Sequence, residues 1–220
     1  MLAGELPSGA QLREAELSNA FGVGRHSLRA ALQALVYEGL LRHEPNRGVF
    51  VPEFSSADVR DLFLLRIAIE THTARLLAER RTLIPEAISA VERLEALQGD
   101  EPWNEVTDLD LEFHRSLVEA LDSPRVAKTF GSLQAELRLL LAQLRYQYIR
   151  PDKIGVEHRL VLDGILSRRP AHATRAMHEH LEVGIDDILE ALNAAPKADS
   201  KKTSSARSPR RTLGTVPEGA

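Results

Sequence analysis

Residues 11–52 carry the pattern that most restricts the fold: a short helix, a tight turn, a second helix and a hairpin. The first amphipathic run, "QLREAELSNAF", is broken by "GVG", and a second helical run over 25–38 ends at Gly39, which suits a left-handed cap. Two β-prone runs, "LLRHE" and "GVFVP", are joined by "PNRG", which favours a turn. This order predicts a winged helix-turn-helix, although a small α+β lobe without a DNA role has the same spacing.

The second helix of this motif has two chemically different sides. Its apolar residues recur at the spacing of a buried helical face: Leu28, Leu32 and Leu35. Its opposite side carries polar residues: Arg25, His26, Arg29 and Gln33. The apolar side accounts for packing, so the polar side is left to face a partner.

Charge and cysteine content narrow the partners. The formal net charge of -4 is not that of a basic nucleic-acid-binding protein. Residues 1–54 hold five arginines against six glutamates, so any DNA contact depends on a few placed arginines. The absence of cysteine means that a metal must be held by histidine and carboxylate. No long apolar run or secretory signal is present in the sequence, which favours a cytoplasmic protein without a membrane association.

From residue 58 onward the pattern is helical. Amphipathic runs predict six helices near 56–80, 85–98, 104–121, 124–149, 153–167 and 170–194, with Ser123 and Pro124 as the cap and first residue of the fourth. The predicted fold is therefore mainly α, with an antiparallel bundle of about six helices. The predicted domains are a winged helix-turn-helix DNA-binding domain at 1–54, which we call the reader, a helical ligand-binding and dimerisation domain at 55–194, and a disordered basic tail at 195–220.

Four polar residues of the helical half are predicted to lean into the bundle. Asp110 and His114 are four apart and therefore share one helix face, while His158 and His180 lie among apolar neighbours. One carboxylate with three imidazoles suits a divalent zinc, nickel or manganese ion. Each histidine taken alone is more often a hydrogen-bonded core residue than a metal ligand.

Catalysis has little support. HExxH, a glycine-rich phosphate loop after a strand and GxSxG are all absent from the sequence. Ligand sensing therefore fits better than catalysis, and the chain is not expected to be an enzyme. Two alternatives stay open: a metal-dependent helical enzyme with an appended lobe, and a DNA-binding protein whose helical half only dimerises.

The stretch from "GELPSGAQLRE" to "PNRGVFV" resembles the reader of GntR-type bacterial transcription regulators. The segments "LRIAIE", "DLEFH", "EHRLVLDGI" and "AMHEHL" follow the order seen in the ligand-binding (FCD) domain of the FadR subfamily. The resemblance covers about residues 2–192. It implies a homodimeric regulator, most often a repressor, that binds a palindromic operator and responds to a small organic acid beside a metal.

The resemblance also assigns residues. It carries the metal set over to Asp110, His114, His158 and His180, and it makes Arg66 a candidate partner for an effector carboxylate, with an Arg66–Glu70 ion pair as the alternative. The implied contacts with double-stranded DNA comprise the recognition helix and the wing: Arg25, His26, Ser27, Arg29, Gln33, Asn46, Arg47 and Gly48. An arginine fork reads guanine edges or binds phosphate, and glycine permits a close backbone approach.

Departures from the family pattern limit what the resemblance predicts. Gly24, His26, Ser27 and Ala30 replace residues common in the family, so the operator sequence cannot be transferred. The family also has a helix before "GELPSG", of which this sequence holds only the last residues. We therefore expect a truncated first helix and weak DNA binding by the sequence as it stands.

Overall fold

A three-stranded sheet closes the amino-terminal domain against two short helices. The computed structural model describes residues 6–144 and 151–194. The elements of this domain are β1 (Gln11–Leu12), α1 (Glu14–Phe21), α2 (Arg25–Tyr37), β2 (Arg42–Glu44) and β3 (Gly48–Phe50). The sheet order is β1-β3-β2, and both pairings are antiparallel. This is the predicted winged helix-turn-helix.

Glycines end the helices of this domain and leucines form its core, as the sequence predicts. Gly22 and Gly39 have φ values of 64° and 77° and end their helices in the left-handed region. Leu28 and Leu32 of α2 are buried with four sheet-side residues: Leu12, Leu41, Val49 and Val51. Two details differ from expectation. The sequence pattern did not predict β1, and Phe21, at the end of the first amphipathic run, is 67% exposed rather than buried.

The second half forms the predicted all-helical bundle. Its helices are α3 (Ser56–Arg80), α4 (Pro85–Glu95), α5 (Trp103–Glu119), α6 (Pro124–Gln143), α7 (Pro151–Leu166) and α8 (Pro170–Ala194). A Ser55–Asp58 capping box starts α3, and proline is the first residue of four others. Ser123 and Pro124 are the N-cap and first residue of α6, as predicted, although the Ser123 side chain makes no capping bond within the described part of the chain. The expected extension of α6 past residue 144 and the tail at 195–220 lie outside the described residues.

Helix α6 lies between the bundle core and the reader. Leu137 and Leu140 are buried in the bundle core, whereas the Gln143 side chain donates a hydrogen bond of 3.0 Å to the carbonyl of Pro52, just after the wing. Glu136 lies against Gly39, at the end of the recognition helix α2. One helix therefore contacts both the bundle interior and the reader.

Candidate metal and effector centre

Three imidazoles from three helices meet inside the bundle. His114 of α5, His158 of α7 and His180 of α8 each offer a ring nitrogen, and these nitrogens all lie within 4.8 Å of one another. The Nε2 atoms of His114 and His180 are 3.2 Å apart. His114 and His158 are both buried, whereas His180 is only partly buried.

Asp110 completes the cluster. It precedes His114 by one helical turn, and its Oδ1 atom lies 3.0 Å from His158 Nε2 and 3.9 Å from His114 Nε2. The structure therefore brings together all four residues predicted as metal ligands. Their capacity to bind a metal depends on which ring nitrogens carry a proton and on which buried polar atoms lack a hydrogen-bond partner.

Outer hydrogen bonds fix the orientation of two rings. His114 Nδ1 contacts Glu70 Oε2, and His158 Nδ1 lies 2.7 Å from the carbonyl oxygen of Ile154. Carboxylates and carbonyls accept hydrogen bonds, so each neutral ring carries its proton on Nδ1 and directs the Nε2 lone pair into the cluster. Histidine ligands of metals are typically held in this way by a carboxylate or a backbone carbonyl.

Arg66 and Glu70 form a buried ion pair beside the rings. Arg66 Nε lies 2.7 Å from Glu70 Oε1, and the two residues are 5% and 1% exposed. The ion pair, our alternative interpretation of Arg66, is therefore present. It does not use the whole guanidinium, because Arg66 Nη2 is buried and has no hydrogen-bond partner among the described residues.

The ionisation of the cluster follows from burial and its neighbours. Burial lowers the pKa of His114, and burial with the neighbouring His158 and His114 rings lowers the pKa of His180 well below 6.5. Burial alone would raise the pKa of Asp110, but the protonated forms of His158 and His114, together with Arg66, hold it well below its ordinary value. The pKa of Glu70 is also lowered, because Arg66 and His114 outweigh its burial. Neutral imidazoles beside charged carboxylates are the forms that bind metal cations.

The donor set fits a divalent metal. His158 Nε2 and His180 Nδ1 are buried and have no hydrogen-bond partner among the described residues, even though a carboxylate oxygen is only 3.0 Å from the former. Buried polar atoms are rarely left unpaired. A cation would satisfy both the carboxylate and the imidazole lone pair, and three nitrogens with one oxygen are donors suited to zinc, nickel or manganese.

A small cavity adjoins the cluster. It offers about 40 Å³ to the centres of water-sized molecules and is lined by Arg66, Asp110 and the three histidines, with Trp103, Leu137 and Leu141 among the others. One water needs about 10–15 Å³ by this measure, so the space suits a small polar group. Arg66 therefore lies beside a space that a small polar group would fill.

The predicted DNA-contacting residues lie on two exposed surfaces. Arg25, His26, Ser27, Arg29 and Gln33 are exposed along α2. The wing exposes Asn46, Arg47 and Gly48, and its turn uses left-handed φ values of 62° at Asn46 and 100° at Gly48. Their DNA contacts stay predictions, but their exposure is compatible with them.

Two of these arginines already have acidic partners. Arg29 Nη2 lies 2.7 Å from Glu14 Oε2 of α1, and Arg47 contacts Glu44 within the wing. Arg29 and Glu14 are both on the surface, so this ion pair has little effect on stability. It nevertheless occupies a guanidinium that sequence reasoning treated as available.

Sequence reasoning missed the residues that orient the cluster. Glu70 entered only as a possible partner of Arg66, and the Ile154 carbonyl and Trp103 did not enter at all. The weak signal for Glu70 was a carboxylate inside an apolar helix face. Its position against His114 depends on how α3 packs on α5, which no local spacing encodes.

A winged helix-turn-helix joined to a helical bundle with an internal histidine cluster defines a class of ligand-responsive transcription regulators. The chain belongs to the gntR family of bacterial regulatory proteins, whose model matches residues 1–51, and it carries an FCD domain at residues 61–183. Proteins of this family and the named relatives are transcription regulators. The alternative of a metal-dependent enzyme is therefore wrong.

Named relatives cover most of the chain. A regulator in an unstable DNA locus of Streptomyces ambofaciens is 30% identical over 84% of this chain and 78% of its own length. The Nta operon transcriptional regulator of Aminobacter aminovorans is 29% identical over 85% of this chain and 88% of its own. The repressor RspR of Escherichia coli is 28% identical, covering 79% and 77%.

Solved structures show the same fold. A GntR transcriptional regulator from Rhodococcus sp. RHA1 superposes with a TM-score of 0.70 at 24% identity, over 89% of this chain and 93% of that one. Escherichia coli McbR/YncC also gives a TM-score of 0.70, at 19% identity, covering 85% of this chain and 90% of that one.

No helix among the described residues is long and apolar enough to cross a bilayer.

Proposed function

We propose that this regulator holds a divalent metal through Asp110, His114, His158 and His180 and senses a small organic acid beside it. The observation that carries the proposal is the buried Nε2 of His158, which lies 3.0 Å from the Asp110 carboxylate and has no hydrogen-bond partner among the described residues, while Nδ1 of the same ring contacts the Ile154 carbonyl. The bound metal would supply a positive centre for the acid. Arg66 would hold the other side of its carboxylate through Nη2.

The reader binds the operator and thereby regulates transcription. Arg25 and Arg29 of α2 contact the operator, with His26, Ser27 and Gln33 beside them, and the wing contributes Asn46, Arg47 and Gly48. The regulator acts as a homodimer on a palindromic operator, in the manner of the FadR subfamily, and represses transcription in the cytoplasm. The named repressors among its relatives support the direction of this regulation.

Metal binding is tested by isothermal titration of the chelator-treated protein with zinc, nickel and manganese. We expect one metal per chain and a loss of binding in His114→Ala. His72→Ala is the matched control, because His72 is exposed on α3 and lies outside the cluster. Equal metal binding by the two variants would refute the assignment of His114 as a ligand, and a lack of metal binding by the wild type would favour the remaining alternative, in which the helical half only dimerises and the histidines are structural.

DNA binding is tested by gel shift with the region upstream of the gene that encodes this protein. We expect the double variant Arg25→Ala, Arg29→Ala to lose specific binding, whereas Arg80→Ala, an exposed arginine at the end of α3, should bind as the wild type does. Each phosphate contact that is lost should also lower the salt slope by about 1. Specific binding by the double variant would refute the assignment of α2 as the reading element.

A further inference from the structure

A second hollow lies on the outer side of helices α7 and α8. We call this hollow the outer groove. It measures about 490 Å³, and its lining includes Leu160, Gly164, Ala176 and Val183. A Cβ atom added to Gly164 would lie 2.8 Å from that of Ala176, so the helices nearly touch and form a floor. Leu160 and Val183 are 62% and 41% exposed. The groove thus presents apolar side chains to solvent.

The outer groove and the cavity beside the histidine cluster have lining residues in common. Glu157 and His180 line both spaces. His180 is also the one histidine of the cluster that is only partly buried, so its ring lies between the cluster and the groove. The two spaces are therefore neighbours, separated at Glu157 and His180.

The two spaces differ greatly in size. The cavity offers about 40 Å³, enough for a carboxylate, whereas the groove offers about 490 Å³. Binding sites for complete small molecules typically span about 300–1,000 Å³ and are mostly apolar. The head group and the body of a ligand thus have separate places of suitable size and chemistry.

We infer that the outer groove is a subsite for the apolar body of a monocarboxylic acid whose carboxylate lies at the cluster. This inference rests on the proposed function, because it takes the metal and Arg66 as the site of the head group. Polar and charged residues also line the groove, among them Asp163, Arg175 and Glu179. The apolar chain therefore gains contacts along Leu160 and Val183 but not beside these polar residues.

The test is a titration of the zinc-loaded protein with a series of linear acids from acetate to octanoate. A fully buried methylene would raise the affinity about fourfold, and an open groove covers roughly half of each, so we expect about a twofold gain per methylene. The double variant Leu160→Asn, Val183→Asn should abolish most of this gain while leaving zinc and acetate affinity unchanged. Leu83→Asn is the matched control, because Leu83 is 87% exposed and lies outside the groove.

The possible failures are distinguishable. Absence of zinc or acetate binding contradicts the proposed function, and the groove inference with it. Binding of zinc and acetate without a gain along the series contradicts the groove alone, as does a gain that persists in the double variant. A change of oligomeric state in the double variant, measured by light scattering, would assign the groove to a second copy of the chain and overturn its role as a subsite.

Discussion

Glu70 is the residue on which the geometry of the cluster depends most. One buried carboxylate contacts the His114 ring with one oxygen and the Arg66 guanidinium with the other. Removing one member of a buried ion pair leaves an uncompensated charge and costs much more than breaking a surface pair. Glu70 therefore positions both a proposed metal ligand and the proposed effector partner.

We expect Glu70→Gln to lower metal affinity about 10- to 100-fold, the usual effect of losing an outer partner of a ligating histidine. The amide keeps the size of the side chain but loses the charge that holds His114 and Arg66. Titration calorimetry with zinc measures the affinity, and circular dichroism checks the fold. Glu79→Gln, in an exposed pair with Arg75 on the same helix, should have no effect. Equal affinities in the two variants would exclude a positioning role.

The histidines also make the metal-free protein sensitive to acid. His114 and His180 have a pKa below the ordinary 6.5 in the folded chain, so the unfolded chain binds more protons as the pH falls below 6.5. Stability is present above that pH and is lost below it, by up to about 1.4 kcal/mol per pH unit for each histidine that stays neutral. The lowered pKa values of Glu70 and Asp110 add a further loss at more acidic pH.

Thermal unfolding in chelator at pH 7.5, 6.5 and 5.5 measures this dependence. We expect the midpoint to fall across the series and to fall less in His180→Gln, which has one fewer titrating ring. A midpoint that is independent of pH would contradict the neutral state assigned to the rings.

At the scale of elements, most helix boundaries could be predicted because proline and glycine mark them chemically. Pro85, Pro124 and Pro170 begin helices where the sequence placed them, and Gly22 and Gly39 end them. The missed strand β1 has only two residues, and its partner β3 lies nearly forty residues later. Such a pairing depends on tertiary contacts and not on the hydrophobic periodicity of the local sequence. The same holds for the contact of Glu70 with His114.

The packing of α7 on α4 gives a prediction at this scale. A Cβ atom on Gly155 of α7 would lie 2.9 Å from the Cα of Glu95, a backbone atom that cannot rotate away. We expect Gly155→Ala to destabilise the fold by about 1–3 kcal/mol through overpacking. Gly131 of α6 has nothing within 4 Å, so Gly131→Ala should stabilise by up to about 1 kcal/mol through helix propensity. Urea unfolding of both variants tests this, and shifts of the same sign would contradict the close helix contact.

At the scale of the whole molecule, α6 connects the cavity with the reader. Leu137 and Leu141 line the cavity, and Trp103 Nε1, also on its lining, donates to the Leu141 carbonyl at 3.0 Å. Two residues further along, the Gln143 side chain donates a hydrogen bond to the Pro52 carbonyl after the wing. A ligand that displaces Trp103 or Leu141 would therefore act on the end of the helix that contacts the reader.

We expect Gln143→Ala to reduce the effect of zinc and a carboxylate ligand on operator affinity by about 2- to 10-fold, the equivalent of one net hydrogen bond. Metal affinity itself should not change, because Gln143 lies outside the cluster. Gel shifts with and without ligand measure the effect, and Gln98→Ala, an exposed glutamine between α4 and α5, is the control. Full ligand response in Gln143→Ala would show that this bond does not couple the two domains.

The Arg29–Glu14 pair has a consequence for how the reader searches a genome. Glu14 presents its carboxylate to Arg29 much as a backbone phosphate would, so a passing stretch of DNA must displace an anion that the protein itself supplies. A random sequence offers only phosphates in exchange, and that exchange is close to neutral. A correctly placed guanine adds a bidentate contact that the carboxylate cannot match. If Arg29 reads the operator as proposed, the internal competitor would lower the residence time on random DNA more than on the operator and sharpen the discrimination between them.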